Sequence, residues 1–320
     1  MLAGVPPQRF VQFWSAAPTP LTTDLRVDVP SVEKMIQAAV KDGMTGLFLA
    51  GTCGEGPWLP NRERSRLVKA AVQAARGSLR IAAQVSDNSV PRILDNIHDM
   101  AEAGVDYAII APPATMMNAT PQRIGALFEE AVRASPLPVG IYDVGSHRAI
   151  GIPEDELKRI YLLANVRLVK DSSADPKRRV IALAARREKP SLQLFSGDEF
   201  HCLEYLEAGY DGCMFGGAAA VAPLMRRIVI LFQSGRLAEA REVEQKMKTI
   251  LHGIYGGESI ACWLTGLKYY MVRKGLFESP ASYLGYPLTE GCRAFIDRFA
   301  AEGPWAEPDS MVAGVRMSVA

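Results

Sequence analysis

A lysine ends a short apolar stretch, Val166 to Lys170, and small polar residues follow it. Strands that are covered by helices prefer uninterrupted Val, Ile and Leu, so a lysine in such a strand is unusual. An ammonium group in an apolar interior loses its hydration, which favours the neutral amine. A neutral amine is a nucleophile that can form an imine with a carbonyl substrate. The structural alternative is a lysine that reaches solvent from the strand end, the commoner case for a lysine considered alone.

Other chemically useful residues also follow apolar stretches. They are Thr52, Cys53 and Glu55 in a glycine-rich turn, Pro112 and Pro113, Tyr142, the Asp198-Glu199 pair, and Gly216 and Gly217. If these stretches are strands of one parallel barrel, their ends meet at one mouth. An amine, a phenol as proton shuttle, a hydroxyl and backbone N–H groups for a carboxylate together suit imine chemistry.

Each of these residues also has a purely structural interpretation. Tyr142 fits a core tyrosine with a satisfied hydroxyl, and Thr52 fits a helix cap. Cys53 fits a small residue in a tight turn better than a thiol nucleophile, because no His or Asn is evidently paired with it. Asp198 fits the N-cap of the next helix, and Glu199 a carboxylate in its first turn.

The elements that would position these residues alternate regularly along the chain. The predicted strands are 10–17, 44–50, 80–86, 107–113, 137–144, 166–170, 192–196 and 212–215. Amphipathic segments that predict helices occupy 29–42, 61–76, 91–103, 121–134, 153–163 and 177–187. About eight strand–helix units predict an α/β protein with a closed (β/α)8 TIM barrel. A doubly wound sheet is less favoured, because no GxGxxG turn follows the first strand.

The strand pattern stops near residue 223. Residues 224–233, 236–255 and 259–274 are predicted to be helical, so the chain is divided into a barrel, 1–223, and a C-terminal helical extension, 224–320. The tail from about Gly303 is expected either to be poorly ordered or to dock on a neighbour.

Composition excludes several classes of function. The net charge is +1, from 36 basic and 35 acidic residues, so the sequence has no excess of basic charge that would indicate binding to nucleic acid or to an anionic membrane. No signal peptide or membrane span is evident. Five scattered cysteines fit free thiols in a reducing cytoplasm, so a cytoplasmic location is expected. Four dispersed histidines without CxxC or HExxH indicate that no metal site is present.

Five segments carry a resemblance to a known family. They are Gly51-Thr-Cys-Gly-Glu55, Ile141-Tyr-Asp-Val144, Leu168-Val-Lys-Asp-Ser-Ser173, Ser196-Gly-Asp-Glu199 and Gly212-Cys-Met-Phe215. In order and spacing they resemble the dihydrodipicolinate synthase / N-acetylneuraminate lyase family of pyruvate-dependent class I aldolases. The C-terminal segments 267–271 and 286–289 are also similar to that family, so the resemblance covers nearly the whole chain.

The resemblance implies a role for each matching residue. Lys170 would form the imine with pyruvate or another 2-oxo acid, without a cofactor. Tyr142 would move protons, and Thr52 would orient it. The backbone around Thr52 and Cys53 would hold the substrate carboxylate, and the carbonyl of Met214 would contact pyruvate. Because members of the family are commonly tetramers, the resemblance also implies a homo-oligomer, a dimer or a tetramer.

Two departures from the family pattern affect the expected substrate. The segment Pro112-Pro-Ala114 lacks a relay tyrosine of the synthases, and His147 replaces an arginine, with Arg148 next to it as a carboxylate ligand. Ser172, Asp198 and Glu199 match positions that bind sugar hydroxyls in the sialic acid lyases. These features favour an aldolase or lyase for a hydroxylated 2-oxo acid, such as a deoxy sugar acid. A dehydratase, a 4-hydroxy-tetrahydrodipicolinate synthase and a non-enzymatic small-acid-binding barrel stay open as alternatives.

Overall fold

A computed structural model describes residues 10–302 of the protein. The strands are β1 Gln12–Ser15, β2 Gly46–Leu49, β3 Arg80–Gln84, β4 Tyr107–Ile110, β5 Val139–Asp143, β6 Val166–Asp171, β7 Gln193–Ser196 and β8 Gly212–Phe215. They form a closed parallel barrel in sequence order, in which β8 pairs with β1. The predicted (β/α)8 TIM barrel is confirmed.

The helices cover the outside of the barrel and continue beyond its last strand. They are α1 Val29–Lys41, α2 Asn61–Ala75, α3 Val90–Ala103, α4 Pro121–Ala134, α5 Glu154–Tyr161, α6 Pro176–Glu188, α7 Cys202–Ala208, α8 Ala218–Gln233, α9 Leu237–Tyr255, α10 Trp263–Arg273 and α11 Glu290–Glu302. Prolines in the first turn of α1, α3, α4 and α6 favour these starts, because the first amide groups of a helix have no intrahelical partner.

Alternate residues of each strand face opposite sides of the sheet. The outward side chains pack with the helices in one continuous core that also includes α8–α11. The inward side chains form a second cluster inside the barrel. Its members include Trp14, Ala16, Phe48, Ala82, Ile109, Tyr142, Leu168, Phe195 and Met214. The barrel is therefore a packed interior whose chemistry is confined to the ends of the strands.

Some element bounds differ from the predicted ones. The predicted start of α8 at residue 224 is wrong, because the helix begins at Ala218 and continues through Pro223, with a break in helical geometry at Val221. The predicted start of α10 at 259 is also wrong, because Gly256 and Gly257 adopt left-handed conformations and a turn precedes Trp263. Helices α7 and α11 were not predicted. The predicted boundary at 223 thus falls inside α8, and the tail from Gly303 lies outside the described residues.

None of the helices between residues 10 and 302 is long and apolar enough to cross a membrane.

Candidate active site

Lys170 lies inside the barrel near the C-terminal end of β6. The residue is 4% exposed, and its Nζ is 4.2 Å from the centre of the Tyr142 ring and 4.9 Å from that of Phe48. Tyr142 and Lys170 are register partners on neighbouring strands. The solvent-facing alternative for this lysine is therefore wrong: the amine is held among aromatic rings at the barrel mouth.

A chain of hydrogen bonds runs from the Tyr142 hydroxyl toward the surface. The Tyr142 Oη and Thr52 Oγ1 atoms are 3.5 Å apart, and Arg148 Nη2 donates to the same Thr52 oxygen at 2.5 Å. Burial raises the pKa of Tyr142, but the Lys170 charge, the Thr52 hydrogen bond, the Arg148 charge and the Ser172 hydrogen bond together leave it below its ordinary value. The structure thus brings together five of the residues singled out from the sequence.

The turn that carries Thr52 is tightly closed. The amide of Gly56 donates to the carbonyl of Gly51 at 3.0 Å, and a Cβ at Gly56 would lie 1.7 Å from the carbonyl oxygen of Ala50. Only glycine fits at Gly56. Ala50 and Glu55 have φ angles of 51° and 59°, which are strained for side chains of their type. Such strain persists only where the surrounding structure fixes the turn.

Glu55 helps to hold this turn in its conformation, and its side chain is fully buried. Its carboxylate forms an ion pair with Lys268 of α10, and both side chains are 0% exposed. The same carboxylate accepts from the Ser282 hydroxyl at 2.8 Å and the Tyr283 amide at 2.6 Å. Burial lowers the pKa of Lys268, although the Glu55 charge opposes this shift. The turn is thus anchored to the C-terminal extension, whose lysine was not singled out from the sequence.

Cys53 is buried next to Thr52. A Cβ built on Gly216 would lie 2.7 Å from its Sγ, so the thiol packs against the glycines that follow β8. Burial, reinforced by the Glu199 charge, raises the pKa of this thiol, so the reactive thiolate is disfavoured. The side chain fills the turn rather than supplying a nucleophile.

Glu199 lies between the β7 turn and the start of α8. Its carboxylate accepts from the Gly217 amide at 2.8 Å and from the Tyr255 hydroxyl at 3.1 Å. Burial raises the pKa of Glu199 to about 7, against the lowering effect of these two hydrogen bonds. The interpretation of Glu199 as a first-turn carboxylate of the next helix is wrong, because α7 begins only at Cys202. It is instead a partly buried acid near Lys170.

The Asp198 carboxylate forms hydrogen bonds within its own turn. It accepts from the amides of Phe200 and His201 at 2.9 and 3.2 Å and contacts the His201 ring at 3.0 Å. The N-cap alternative for Asp198 is wrong, because His201 occupies the cap position of α7 and Asp198 accepts from amides that precede the helix. The structure therefore does not bring the Asp198 carboxylate into the hydrogen-bond chain around Tyr142.

Ser172 and Met214 complete the set of residues singled out from the sequence. Ser172 packs so closely on Gly197 that a Cβ there would lie 1.8 Å from its Oγ, and the same Cβ would lie 3.1 Å from Lys170 Cε. Met214 is fully buried in the barrel interior with Tyr142 and Phe195. Gly197 thus lies against both Ser172 and Lys170, and Met214 belongs to the interior cluster that contains Tyr142.

Arg148 lies on the loop that connects β5 to α5. An ion pair fixes both ends of this loop: Arg178 of α6 makes two hydrogen bonds to the Asp143 carboxylate, at 2.7 and 2.9 Å. Asp143 also accepts from the Gly145 amide at 3.0 Å, and Arg178 donates to the Ile152 carbonyl at 2.8 Å. Arg178 was missed from the sequence because nothing in α6 distinguishes it from the arginine next to it.

The site thus contains a buried amine, a phenol with a lowered pKa, two hydroxyl groups, an arginine and a partly buried acid. No group of three or more His, Cys, Asp or Glu side chains within the described part of the chain could hold a metal ion. A groove of about 690 Å³ lies elsewhere, between α9 and α11, and is lined by residues such as His252, Cys292 and Phe295. It contains none of the residues singled out from the sequence, so the strand ends remain the candidate site.

The protein is a parallel eight-stranded barrel with an amine and a phenol at its mouth. These are the groups that a barrel enzyme needs for imine chemistry. Residues 9–290 match the model of the dihydrodipicolinate synthetase family, and the chain belongs to this family. Members of the family are pyruvate-dependent class I lyases and aldolases, and the protein is an enzyme of the lyase and aldolase class.

Relatives within the family carry different names. A 4-hydroxy-tetrahydrodipicolinate synthase of Gluconobacter oxydans is 30% identical over 86% of this chain and 90% of its own. A putative mitochondrial 4-hydroxy-2-oxoglutarate aldolase of Coccidioides immitis is 30% identical over 69% of this chain and 71% of its own. The solved structure of YagE from E. coli K12 in complex with pyruvate has a TM-score of 0.83 at 18% identity, covering 93% of this chain and 99% of its own. The last comparison supports the fold.

Proposed function

We propose that the protein is a class I aldolase that forms an imine between Lys170 and pyruvate, or the pyruvate part of a hydroxylated 2-oxo acid. The observation that carries the proposal is the position of Lys170, buried with its Nζ 4.2 Å from the ring centre of Tyr142. A buried amine beside a phenol that is itself hydrogen-bonded has the two groups that imine formation requires.

The first half of the reaction joins the amine to the substrate. The neutral Lys170 amine attacks the C2 carbonyl carbon, and the carbonyl π electrons move to oxygen to give a carbinolamine. Tyr142 gives its proton to the departing hydroxyl, which leaves as water, and a protonated imine remains. The Thr52 hydrogen bond and the Arg148 charge both act to lower the pKa of the Tyr142 phenol, and they make this donation easier. Thr52 keeps the phenol oriented through its hydroxyl and receives support from Arg148.

The second half breaks the carbon–carbon bond. The Tyr142 phenolate removes the proton of the C4 hydroxyl, and the C3–C4 bond electrons move into the protonated imine. An aldehyde leaves and an enamine stays on Lys170. Protonation of the enamine at C3 and addition of water to the imine then release pyruvate and restore the amine. Run in reverse, the same steps condense pyruvate with an aldehyde.

The substrate carboxylate is assigned to the turn at Thr52 and Cys53, with Arg148 beside it. Met214 and Ser172 border the pyruvate part. Glu199 is assigned to hydroxyl groups farther along the substrate, because its carboxyl changes ionisation near neutral pH and lies close to Lys170. The Asp198 carboxylate supports this turn through the amides of Phe200 and His201.

Two observations favour an aldolase over a synthase. Ala114 is exposed on the segment after β4 and offers no hydroxyl group for a proton relay. The 4-hydroxy-2-oxoglutarate aldolase relative, at 30% identity, acts by name on a hydroxylated 2-oxo acid. The name of the Gluconobacter relative favours the second candidate, which is condensation of pyruvate with aspartate semialdehyde. A dehydratase on the same imine is a third outcome, and assembly into a dimer or tetramer is part of the proposal.

Reductive trapping tests the imine. The protein is incubated with pyruvate and sodium borohydride, and the modified peptide is located by mass spectrometry. We expect a reduced adduct on Lys170 that is absent from Lys170→Ala, while Lys189→Ala, which removes a lysine of the barrel exterior, retains it. A folded wild-type protein that forms no adduct with pyruvate or any other 2-oxo acid would contradict the proposal.

The second substrate is then identified by product analysis. We expect pyruvate release from 4-hydroxy-2-oxo acids, measured with a coupled reduction, to exceed condensation of pyruvate with aspartate semialdehyde. The opposite ratio would identify a synthase. Loss of water from the substrate without release of an aldehyde would identify a dehydratase.

A further inference from the structure

The Glu199 carboxylate is held by the protein through only one of its two oxygens. Its Oε2 atom accepts from the Gly217 amide at 2.8 Å and from the Tyr255 hydroxyl at 3.1 Å. No donor between residues 10 and 302 reaches the Oε1 atom, and this atom is not sealed from solvent. A carboxylate with one oxygen fixed and the other free presents an acceptor of defined position.

The Tyr255 hydroxyl is a donor in a fixed place. Tyr255 is the last residue of α9 and is 0% exposed, and the ring of Phe200 packs edge-on against it with ring centres 6.4 Å apart. A Cβ on Gly217 would lie 2.7 Å from both the Tyr255 Oη and the Glu199 Oε2 atoms. Burial raises the pKa of Tyr255, so its hydroxyl stays protonated and donates to the ionised Glu199 carboxylate.

The free oxygen of Glu199 lies in the same part of the barrel as the reactive amine. Gly197, two residues before Glu199, packs so closely on Lys170 that a Cβ there would lie 3.1 Å from the lysine Cε. Gly216, which precedes the amide that binds Glu199, packs against Cys53. The Glu199 charge also raises the pKa of the Cys53 thiol. A substrate attached to Lys170 therefore enters the space that Glu199 borders.

The ionisable groups that face Glu199 come from its own turn and from three other elements. They are Asp198 from the same turn, Lys170 from β6, Cys53 from the turn after β2 and Tyr255 from α9. Burial raises the pKa of Glu199 to about 7, the Asp198 charge adds to this rise, and the Tyr255 hydrogen bond and the Lys170 charge oppose it. The hydrogen bond from Tyr255 thus favours the ionised carboxylate.

We propose that Tyr255 is a positioning residue, which fixes the Glu199 carboxylate so that its Oε1 atom accepts from hydroxyl groups of a polyhydroxylated 2-oxo acid. This inference rests on the proposed imine at Lys170 and names the class of substrate that the site takes. Without the Tyr255 hydroxyl, Oε2 keeps only the Gly217 amide, so the carboxylate is free to rotate and is harder to ionise. The preference for a hydroxylated acid over an apolar one then weakens.

A competition experiment measures this preference. Equal concentrations of 2-oxo-3-deoxygluconate and 2-oxohexanoate, which has the same six carbons and no hydroxyl group, are trapped together with borohydride. Mass spectrometry of the Lys170 peptide gives the ratio of the two adducts, and the pyruvate adduct that cleavage leaves is counted with the hydroxylated one. We expect Tyr255→Phe to lower the ratio of hydroxylated to apolar adduct by about 10-fold relative to wild type. Intrinsic differences in carbonyl reactivity cancel in this comparison.

The pH dependence of the ratio tests the route through Glu199. The ionised carboxylate is the stronger acceptor, so the wild-type ratio should rise as pH rises through the pKa of Glu199. Tyr255→Phe removes a donor that stabilises the carboxylate, so the pKa of Glu199 rises and the midpoint of this change moves to higher pH, by about one unit. The side chain in Glu199→Gln does not ionise, so its ratio should be independent of pH. Titration of Lys170 or Tyr142 affects both adducts alike.

Tyr269→Phe is the matched control. The Tyr269 hydroxyl of α10 donates to the Asp297 carboxylate of α11 at 2.8 Å, a contact that involves none of the residues around Lys170. The substitution also takes a tyrosine hydroxyl away from a carboxylate of the C-terminal extension. Tyr269→Phe should therefore leave both the adduct ratio and the midpoint of its pH dependence at their wild-type values.

Several results would overturn the inference. A ratio and a midpoint in Tyr255→Phe that match wild type would show that the hydroxyl does not position Glu199. An equal loss of both adducts would assign Tyr255 to the stability of the site as a whole. A pH-dependent ratio in Glu199→Gln, or a wild type that traps pyruvate but not 2-oxo-3-deoxygluconate, would also reject it. Absence of every adduct from wild type, that of pyruvate included, would instead reject the proposed imine.

Discussion

The Tyr142 phenol is the residue whose chemistry depends most on its neighbours. Burial alone would raise its pKa, yet two cationic side chains and two hydroxyl groups reverse the direction of the shift. Arg148 acts on the phenol both through its charge and through the Thr52 hydroxyl that it holds. The proton donor of the proposed reaction is thus tuned by a side chain that need not touch it.

Replacement of Arg148 should move the alkaline limb of the pH–rate profile. The protonated phenol is the acid for carbinolamine dehydration, so the rate falls as pH rises through the pKa of Tyr142. Arg148→Gln removes a positive charge that stabilises the phenolate, so the pKa of Tyr142 rises and the limb moves to higher pH by about one unit. The trapping rate at saturating pyruvate, measured against pH, checks this shift.

Arg167→Gln is the control for this prediction, because Arg167 is an exposed arginine of β6 that donates to the Ala164 carbonyl. The alkaline limb of the pH–rate profile of Arg167→Gln should coincide with that of wild type. If the limb of Arg148→Gln also coincides with it, the arginine has no influence on the phenol.

The residues that the sequence predicted to lie close together, and that the structure does bring together, stand at the ends of strands. Lys170, Tyr142 and Thr52 follow apolar stretches, and the barrel brings strand ends together whatever the rest of the sequence. The contacts that were missed join residues that are far apart in the sequence. Glu55 and Lys268 are 213 positions apart, and no local pattern in either segment indicates that they form a buried pair.

At the scale of elements, the loop between β5 and α5 depends on the neighbouring unit of the barrel. Arg178 of α6 binds the Asp143 carboxylate and the Ile152 carbonyl, and so holds the two ends of the loop that carries Arg148. A lysine has one point charge in place of a planar fork, so it cannot make both contacts. Arg178 thus holds in place the loop that carries Arg148, which the proposed reaction assigns to the substrate carboxylate.

Arg178→Lys is expected to loosen this loop and lower the trapping rate by about 10- to 100-fold. It should also shift the alkaline limb in the same direction as Arg148→Gln, because Arg148 is then poorly placed. In the Arg148→Gln background, Arg178→Lys should add no further shift of the limb, which a double-mutant comparison of pH profiles would measure.

The matched control is Arg186→Lys. Arg186 forms a similar pair with Asp211, at 2.8 Å, before the start of β8 and away from the mouth. Arg186→Lys should lower the stability of the protein and leave the alkaline limb of the pH–rate profile unchanged. An additive shift in the double variant would show that Arg178 acts on the phenol by another route.

The ends of helices and strands could be predicted where the segment with a periodic apolar pattern was long and residues typical of such ends flanked it. Helix α7 has only seven residues, too few to establish a helical period. The predicted helix started at residue 224, but α8 already begins at Ala218 and continues through Pro223 after a break in helical geometry at Val221. The turn before α10 depends on two left-handed glycines, whose conformation the apolar pattern does not report.

At the scale of the whole molecule, the barrel and the C-terminal extension share one core and one buried ion pair. Lys268 and Glu55 connect α10 to the turn after β2, and residues 282 and 283 add two further hydrogen bonds. The chain thus couples the turn at Thr52 to elements that lie beyond the last strand. The extension belongs to the site although it supplies none of the proposed reacting groups.

Lys268→Met should destabilise the protein by about 3–5 kcal/mol, because the Glu55 carboxylate stays buried without its counter-charge. Adding Glu55→Gln should recover part of this loss, since the buried charge is then gone while an acceptor remains for Tyr283. Chemical denaturation of the two single variants and the double variant measures these differences.

Lys34→Met provides the comparison, because it breaks an exposed pair with Glu278 at 2.8 Å. Its effect should stay within about 1 kcal/mol. A Lys268→Met protein as stable as Lys34→Met would show that Glu55 does not depend on the pair.

The Glu55–Lys268 pair also sets an order of events during synthesis of the chain. All eight strands have left the ribosome before α10 is made, so the barrel can begin to close early. The Glu55 carboxylate at the base of the turn at Thr52 then lacks these two partners until Lys268 and Tyr283 emerge from the ribosome. A nascent barrel can therefore hold Lys170 in place before the turn at Thr52 is fixed.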